Sequence, residues 1–448
     1  MEKYLDHIGA KHRIRDPLYG YIWLTDEELK IIDTPIFQRL RRIQQLALTK
    51  YVYPAAEHSR FVHSLGVLHS ATKMFYGIME NDDTKLPYGD KLRYLKALRF
   101  AALLHDIGHL PFSHGVEDVL LEGVNHEDVG QFIIKNYRPI SDIVDDELDK
   151  VINILSSEVR KKYRLIHEII SGQLDADRAD YLMRDSYFCG VKYGEYDYNR
   201  YMQSFGAFED DSALTLFIKE RDIYVVESFL LARYHYNLQV PFHRTRVGYD
   251  ITLRKYFEHL KENGKFKQFI EYNEEGKINN IDLGYFESLD DYMIVEMIKS
   301  ESRENNWAKM LLRQNHLKPI FDVVSNKPSK IPADEFFKRS ISVLENNDYV
   351  KDEDFFTSNT KVELSKLIET TENIQNVHET DVDEVTSEDG FMPKNTIYVK
   401  DSSNQCHDIA ECSEVIKSMK TKLRLLRIYA LPELCADLIE LIKSTNTQ

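Results

Sequence analysis

Three stretches of the chain concentrate histidine, aspartate and arginine: Arg60-Phe61-Val62-His63, His105-Asp106-Ile107-Gly108-His109-Leu110-Pro111-Phe112-Ser113-His114, and Asp175-Ala176-Asp177-Arg178-Ala179-Asp180-Tyr181. Histidine and aspartate are metal-ligand types. Two neutral imidazoles and two carboxylates around one divalent ion cancel its charge and leave positions open for water and substrate oxygens, a set that suits iron, manganese, zinc or nickel. His63 lies in an apolar segment, FVHSLGVLHSA, that reads as buried helix. An unpaired imidazole there is costly, and taken alone His63 reads better as a hydrogen-bonded core histidine. His105-Asp106 closes a second apolar helix, YLKALRFAALL, and would carry two polar groups inward unless a cation compensates them. Gly108 and Pro111 then break the helix, so His109 and His114 can return to the same place by a turn. Asp177, Tyr181 and Asp185 fall at i, i+4 and i+8 with Arg178 and Arg184 beside them, giving one helix face a ligand, a ring and an acceptor. A surface salt-bridge ladder is the bland alternative for that stripe.

The elements that must position these groups are helices. From Thr25 to about Arg200 apolar residues recur at three- and four-residue spacing, as in Leu92, Leu95, Leu98 and Ala102. Thr34 before Pro35 is a helix start, and the spacing predicts a helix over Pro35–Leu46. SALTLFIK has strand character, consistent with a small hairpin, and a helical pattern follows from Asp222 through Tyr236. Between Lys351 and Gly390 stand twelve acids against three lysines with few large apolar groups, which reads as an exposed insertion or linker. Beyond it NTIYVK reads as a strand, and ECSEVIKSMKTKLRLLRIY as a helix running into a strand. The fold class is therefore mainly α: a helical bundle with a small β-hairpin and a small α+β C-terminal region.

With 448 residues the chain is too long for one core. The balance of 58 basic against 74 acidic residues, net −16, argues against chain-wide affinity for nucleic acid or anionic membrane, so anionic ligands need a local basic site. No stretch approaches the roughly 18 to 20 apolar residues of a membrane span, and MEKYLDHIGAKHRIRD lacks the apolar centre of a signal peptide, which makes a cytoplasmic address the expectation. Cys189, Cys406, Cys412 and Cys435 show no CxxC pairing, against a disulfide framework or a cysteine zinc cage.

The motifs DPLYGYI, IIDTPIFQRLRRIQQL, SRFVHSLGV, ALLHDIGHLPFSH, NHE and DADRADYLMRD make the sequence resemble the HD-domain phosphohydrolases. Within that group it is similar to the deoxynucleoside triphosphate triphosphohydrolases of the sterile-alpha-motif and HD-domain type. The resemblance is close over roughly residues 12 to 190 and looser at FESLDDYM, RQNHLKPIF and NTIYVK, and a form without the sterile alpha motif is expected. It implies an HD-domain catalytic core over 1–205, a helical continuation with the hairpin and oligomer contacts over 206–345, an acidic linker or insertion over 346–392 and the α+β region over 393–448.

Carried over position by position, it implies His63, His105, Asp106 and Asp177 as ligands of one divalent ion (manganese, iron, zinc, nickel or magnesium), with magnesium also accompanying the nucleotide. It places His109, His114 and His126 in the catalytic pocket with Glu117 and Glu127 orienting imidazoles, and His114 as general acid. Arg60 and Arg178 would hold phosphates, Gln45 and Asp185 the sugar 3′-hydroxyl, Tyr181 the sugar face, and Tyr181 with Leu46 would crowd the 2′ carbon. Pro241 stands where some relatives have a tyrosine near the substrate, if His243-Arg244 sets the register. The resemblance further implies a dimer or tetramer and an activating nucleotide at a second site, where Asp33, Gln38 and Arg41 match; alternatively Asp33 caps the helix begun by Pro35 and Arg41 pairs with an acid. Two other functions stand beside hydrolysis of deoxynucleoside triphosphates to deoxynucleoside and triphosphate. One is a metal-dependent nuclease or phosphodiesterase guided by Arg39, Arg41 and Arg42 or by Lys417, Lys420, Lys422, Arg424 and Arg427; the other is a nucleotide-sensing scaffold.

Overall fold

The computed structural model describes residues 2–80, 88–210, 213–325, 332–351, 353–362, 371–372, 390–391, 397–418 and 423–445. They belong to two compact units, one built from Met1–Tyr236, Lys267–Ile294 and Val385–Lys417, the other from Asn237–Phe266, Val295–Glu384 and Ser418–Gln448.

The first unit is organised on the helix Arg60–Glu80, whose residues are apolar or small on almost every side and buried accordingly. It packs against the helices Tyr88–Leu104 and Ala176–Cys189. Leu95, Leu98, Ala102 and the residues between them fill the core, and the helix stops at Leu104, so His105 and Asp106 follow directly on its buried end. Asp175 caps the third helix, its carboxylate accepting from Arg178 N at 2.7 Å, and Gly190 ends it at φ 68°, a left-handed conformation that glycine takes without a Cβ penalty. Strands His12–Asp16 and Gly20–Leu24 form an antiparallel hairpin that apolar periodicity did not announce. Phe205–Asp210 and Ala213–Lys219 form the second, expected one, and the helix Ile223–Gln239 follows it.

The helix expected over Pro35–Leu46 is shorter. Thr34 caps it, with Phe37 N donating to its hydroxyl, but α-helix covers only Pro35–Arg39 and a 3-10 turn Leu40–Arg42. Ile43 is extended because Arg60 N donates to its carbonyl, and Gln44 bridges to Ser59, so the chain turns toward the start of Arg60–Glu80. Tyr398–Lys400, the NTIYVK strand, pairs in parallel with Ala213–Lys219 and so belongs to the hairpin's sheet within the first unit.

In the second unit a sheet runs in the order Thr371–Glu372, Phe355–Val362, Leu423–Ala430, Lys318–Val324, all antiparallel. Helices Ala333–Glu345 and Cys435–Thr445 cover it, burying Phe321, Phe337, Leu344, Leu426, Ile428 and Leu438. The α+β region thus recruits strands from 318–324 and 355–362 as well as the C-terminal segment. Part of the segment expected as linker is therefore sheet, while 363–370 and 373–389 lie outside the described residues. Among the described residues no helix is long and apolar enough to cross a membrane.

Candidate metal centre and active site

The three motif stretches meet in the first unit. His63 Nε2 lies 2.9 Å from Asp177 Oδ1 and 3.8 Å from Asp106 Oδ2; His105 Nε2 lies 3.3 Å from Asp106 Oδ1 and 3.9 Å from Asp177 Oδ1. The opposite nitrogen of each ring is committed. His63 Nδ1 meets Asp180 Oδ2 at 2.8 Å, and His105 Nδ1 donates to Ala102 O at 2.8 Å. With hydrogens at Nδ1, both Nε2 atoms carry lone pairs, and these face carboxylate oxygens. His105 Nε2 is buried and makes no hydrogen bond at all. Lone pairs and anionic oxygens face each other at low cost only around a cation. Metal–ligand bonds of about 2.0–2.2 Å put neighbouring donors roughly 3 Å apart and opposite ones roughly 4 Å apart; the distances here run from 2.9 to 3.9 Å, and donor atoms of His63, His105 and Asp177 all lie within 4.8 Å of one another with Asp106 beside them, so the set fits a divalent ion. Burial alone would push the His63 imidazole down, but its bonds to Asp177 and Asp180, with Asp106 nearby, push it up to about 10; without a metal the site holds a proton instead.

Asp180 is fully buried and carries more than His63. It accepts from Tyr19 OH at 2.7 Å and from Arg184 Nε and Nη2 at 2.8 and 2.9 Å, while Arg184 Nη1 reaches Asp16 Oδ2 at 2.9 Å. Room for that carboxylate exists because residue 66 is glycine: a Cβ there would stand 1.9 Å from Asp180 Oδ1. Arg60, buried, donates through Nη1 to Asp106 Oδ2 at 2.6 Å and through Nε to Ser113 Oγ at 2.7 Å, tying a ligand to the turn that follows it.

A second group stands beside the first. Glu117 Oε1 meets His126 Nδ1 at 2.8 Å and also accepts from His126 N; its Oε2 meets His114 Nδ1 at 3.0 Å. His109 stacks on His126 at 3.8 Å with planes 13° apart, and its Nε2 lies 3.1 Å from Asp106 Oδ1. Side-chain ligand atoms of His109, His114, Glu117 and His126 lie within 4.8 Å of one another. Yet imidazole lone pairs lie in the ring plane, and two rings stacked with centroids 3.8 Å apart and planes 13° apart direct theirs nearly in parallel, a poor arrangement for sharing one ion. The group therefore suits proton handling better than ligation. Burial, with the Arg60 charge, holds His109 well below its ordinary range, whereas the bonds from His114 and His126 outweigh burial and hold Glu117 well below its own. Gly108 permits the arrangement: a Cβ on it would come 2.1 Å from His126 O. Glu117 is bonded to both imidazoles, whereas Glu127 is exposed and its backbone N donates to the capping side chain of Asn125.

The residues expected around the nucleoside are partly assembled. Asp185 is buried with Oδ1 on His58 Nε2 at 2.6 Å and Oδ2 bonded by Tyr236 OH, so its oxygens already have protein partners. Tyr181 packs 5.7 Å from Tyr236, and Gln45 presents a buried Oε1 with no partner. Leu46 precedes the 3-10 turn Ala47–Tyr51. Arg178 is bonded to Asp175 and to Gly172 O, the latter at 2.7 Å. Beside it lies a residue that the motifs did not flag, Arg233 of the helix Ile223–Gln239. It is fully buried, its Nε has no partner, and burial with the neighbouring Arg178 lowers it to about 10. Asp175 acts on both guanidiniums, and Asp177 acts on Arg178 as well.

Of the second-site candidates, Gln38 and Arg41 come together, Arg41 Nε donating to Gln38 Oε1 at 2.8 Å, and the Arg41 guanidinium lies over the Phe61 ring. Asp33 is the exposed C-cap of the preceding helix, and Thr34 holds the capping role offered for it. Pro241 and His243 belong to the other unit, where His243 caps the helix Arg244–Glu262 and Pro241 O accepts from Arg246.

Residues 60–185 match the model of the HD domain. Over 308 residues the chain is 35% identical to an uncharacterized protein of Methanocaldococcus jannaschii, covering 68% of this chain and 59% of that one. Over 276 residues it is 31% identical to the deoxynucleoside triphosphate triphosphohydrolase SAMHD1 homolog of Dictyostelium discoideum, covering 58% and 51%. The chain spans 55–62% of the length of the first three curated relatives it matches. Among solved structures it is similar to a hypothetical protein of Aquifex aeolicus (TM-score 0.74, 26% identity, 96% of this chain and 99% of that one). It is likewise similar to a phosphohydrolase of Bacteroides thetaiotaomicron (TM-score 0.68, 26% identity, 94% and 99%).

Proposed function

Because the chain belongs to the HD-domain family, we propose that it is a metal-dependent phosphohydrolase that cleaves deoxynucleoside triphosphates to deoxynucleoside and inorganic triphosphate. The observation that supports this reading most is the pair of Nε2 atoms, each ring held by a bond at Nδ1, turned toward Asp106 and Asp177 beside a Glu117-bridged set of histidines. His63, His105, Asp106 and Asp177 would hold the ion. When bound, a divalent ion supplies Lewis-acid polarisation of a phosphate oxygen and acidifies water.

The remaining work falls to side chains. Arg178 and Arg233 neutralise the outer phosphates, and Arg60 keeps Asp106 in place while it faces the phosphate nearest the sugar. His114, half exposed and held at Nδ1 by Glu117, protonates the 5′-oxygen as the bond from the α-phosphorus to that oxygen breaks and water adds to phosphorus. Gln45 and the Asp185 group meet the sugar, with Tyr181 and Leu46 beside it. Gln38, Arg41 and Asp33 are proposed for an activating nucleotide, and a homo-oligomer for the assembly.

The test is to strip the protein of metal, reload it with manganese, and offer each deoxynucleoside triphosphate and ATP, singly and in pairs, separating products by anion exchange. Release of triphosphate from the deoxynucleotides supports the reading. Pyrophosphate, monophosphate or no release from any of them ends it.

A further inference from the structure

Asp291 lies outside the HD-matched residues, in the segment Leu289-Asp290-Asp291, and is buried in the first unit. Its two carboxylate oxygens go to two different loops. Oδ1 accepts from Phe112 N at 2.8 Å, and Oδ2 accepts from Gln44 N at 2.9 Å. The first loop leads to His114, the second to Gln45. The same short segment ties both loops again: Arg39 bridges Leu289 O at 2.6 Å and His109 O at 2.8 Å, and Arg42 pairs with Asp290.

Both loops are backbone-strained. Five non-glycine residues among those described have φ in the left-handed region, and three of them are here: Ala47 at 47°, Phe112 at 56° and Ser113 at 53°. Such conformations persist only where surrounding contacts over-determine them, and they gather at functional sites. A buried carboxylate is an expensive acceptor for two backbone amides that a neutral group could satisfy. What a carboxyl group adds is two oxygens a fixed distance apart on one rigid planar group, one for each amide, which sets the spacing between the loops.

We infer that Asp291 is a positioning residue: it locks the loop carrying His114 and the loop carrying Gln45 at a fixed separation, so that the leaving-group end and the sugar end of one substrate are held in register. The inference rests on the hydrolase reading above. Its consequence is a turnover effect without a metal effect, because Asp291 touches no proposed metal ligand. Misplacing reacting groups by about 1 Å can cost roughly 10²-fold in rate.

The experiment compares wild type, Asp291→Asn, Asp291→Ala and Ala47→Gly/Asp291→Asn, all manganese-loaded. Turnover should drop about tenfold or more in Asp291→Asn and further in Asp291→Ala, with manganese content unchanged and KM within about threefold. Glycine at 47, which accepts the left-handed backbone without strain, should return part of the lost turnover. A turnover for Asp291→Asn within twofold of wild type overturns the inference, as does parallel loss of manganese and activity, or absence of any glycine rescue. If the variants do not fold, hydrogen exchange on the wild-type protein decides: slow exchange at the Phe112 and Gln44 amides supports the lock, and fast exchange at either overturns it. A wild type that releases no triphosphate defeats the hydrolase reading instead, and the amide exchange still judges the lock.

Discussion

Asp180→Asn is the sharpest perturbation of the proposed metal centre, because it changes no proposed ligand. Asp180 is fully buried and accepts four hydrogen bonds, from Tyr19 OH, His63 Nδ1 and two nitrogens of Arg184. Asparagine keeps the shape but offers one acceptor oxygen in place of two anionic ones, and its amide hydrogens face donors. His63 then loses the partner that fixes its proton at Nδ1 and aims Nε2 at the ion. Loss of such an outer partner typically weakens metal binding about 10- to 100-fold, equivalent to roughly 1.4–2.7 kcal/mol. Breaking a buried ion pair costs roughly 3–5 kcal/mol, and since Arg184 keeps Asp16 at 2.9 Å, the stability loss should fall near about 3 kcal/mol. The assay is manganese titration by calorimetry on folded, metal-stripped protein, with denaturant unfolding alongside. Tyr19→Phe, which removes one neutral donor and leaves the carboxylate charged, should shift metal affinity less than about threefold. If Asp180→Asn binds manganese within threefold of wild type while remaining folded, then Asp180 does not orient His63 and the reasoning from committed Nδ1 to free Nε2 fails.

His114→Gln should lower turnover by about 10² to 10⁴ while manganese content stays constant, as general acid catalysis requires; a loss within about threefold removes the acid role. Arg233→Gln should raise KM for a deoxynucleoside triphosphate by roughly tenfold or more and leave metal binding alone, since a hydrogen bond to a charged group is worth about 1.5–3 kcal/mol; an unchanged KM would show that the buried guanidinium meets no phosphate. Burial, only partly offset by the Gln44 and Phe112 amides, pushes Asp291 up to about 7 from 3.8, so between those values the folded state holds a proton that the unfolded chain has released, and stability contributed by this group falls as pH rises through that window. Unfolding free energies of wild type and Asp291→Asn across pH 4 to 8 should therefore diverge in favour of the variant toward pH 7, and parallel curves would contradict the shift.

The stretch from His105 to His114 was legible because it begins where a strong local pattern ends. The apolar run of Tyr88–Leu104 leaves no helical residue after Leu104, so His105-Asp106 had to stand at a buried end, and Gly108 with Pro111 marked the turn. Helix starts at Thr34 and the hairpin of Ala213–Lys219 were legible for the same reason, local capping and local alternation. The strand Phe355–Val362 was not, because it opens a run of acids whose composition favours solvent and whose partner, Leu423–Ala430, lies some sixty residues on. The hairpin His12–Asp16 hid behind its arginines: Arg13 and Arg15 alternate with Ile14 but lie over Tyr21 and Trp23 rather than marking a polar strand edge.

What escaped sequence reading at the site has one physical cause. Asp180 falls three residues after Asp177, off the stripe of Asp177, Tyr181 and Asp185, and its task is set by Gly66, Tyr19 and Asp16, which come from other elements. Arg233 interrupts an apolar helical pattern, FLLARYHYNL, and a cation in the middle of such a pattern was the available signal: on the buried face of a helix that is exposed elsewhere, at Tyr224 and His235, an arginine whose Nη1 reaches only Gln173 O at 3.4 Å calls for a neighbouring or arriving anion. Asp291 gave no such signal, since two acids opening a helix are the ordinary composition of a first turn. Motif spacing records contacts made along one segment, whereas the groups that orient the proposed ligands and space the loops act across segments. The residues proposed to carry the chemistry were therefore easier to name than the residues that hold them still, and a variant at Asp180 or Asp291 tests more of the structural argument than one at His63.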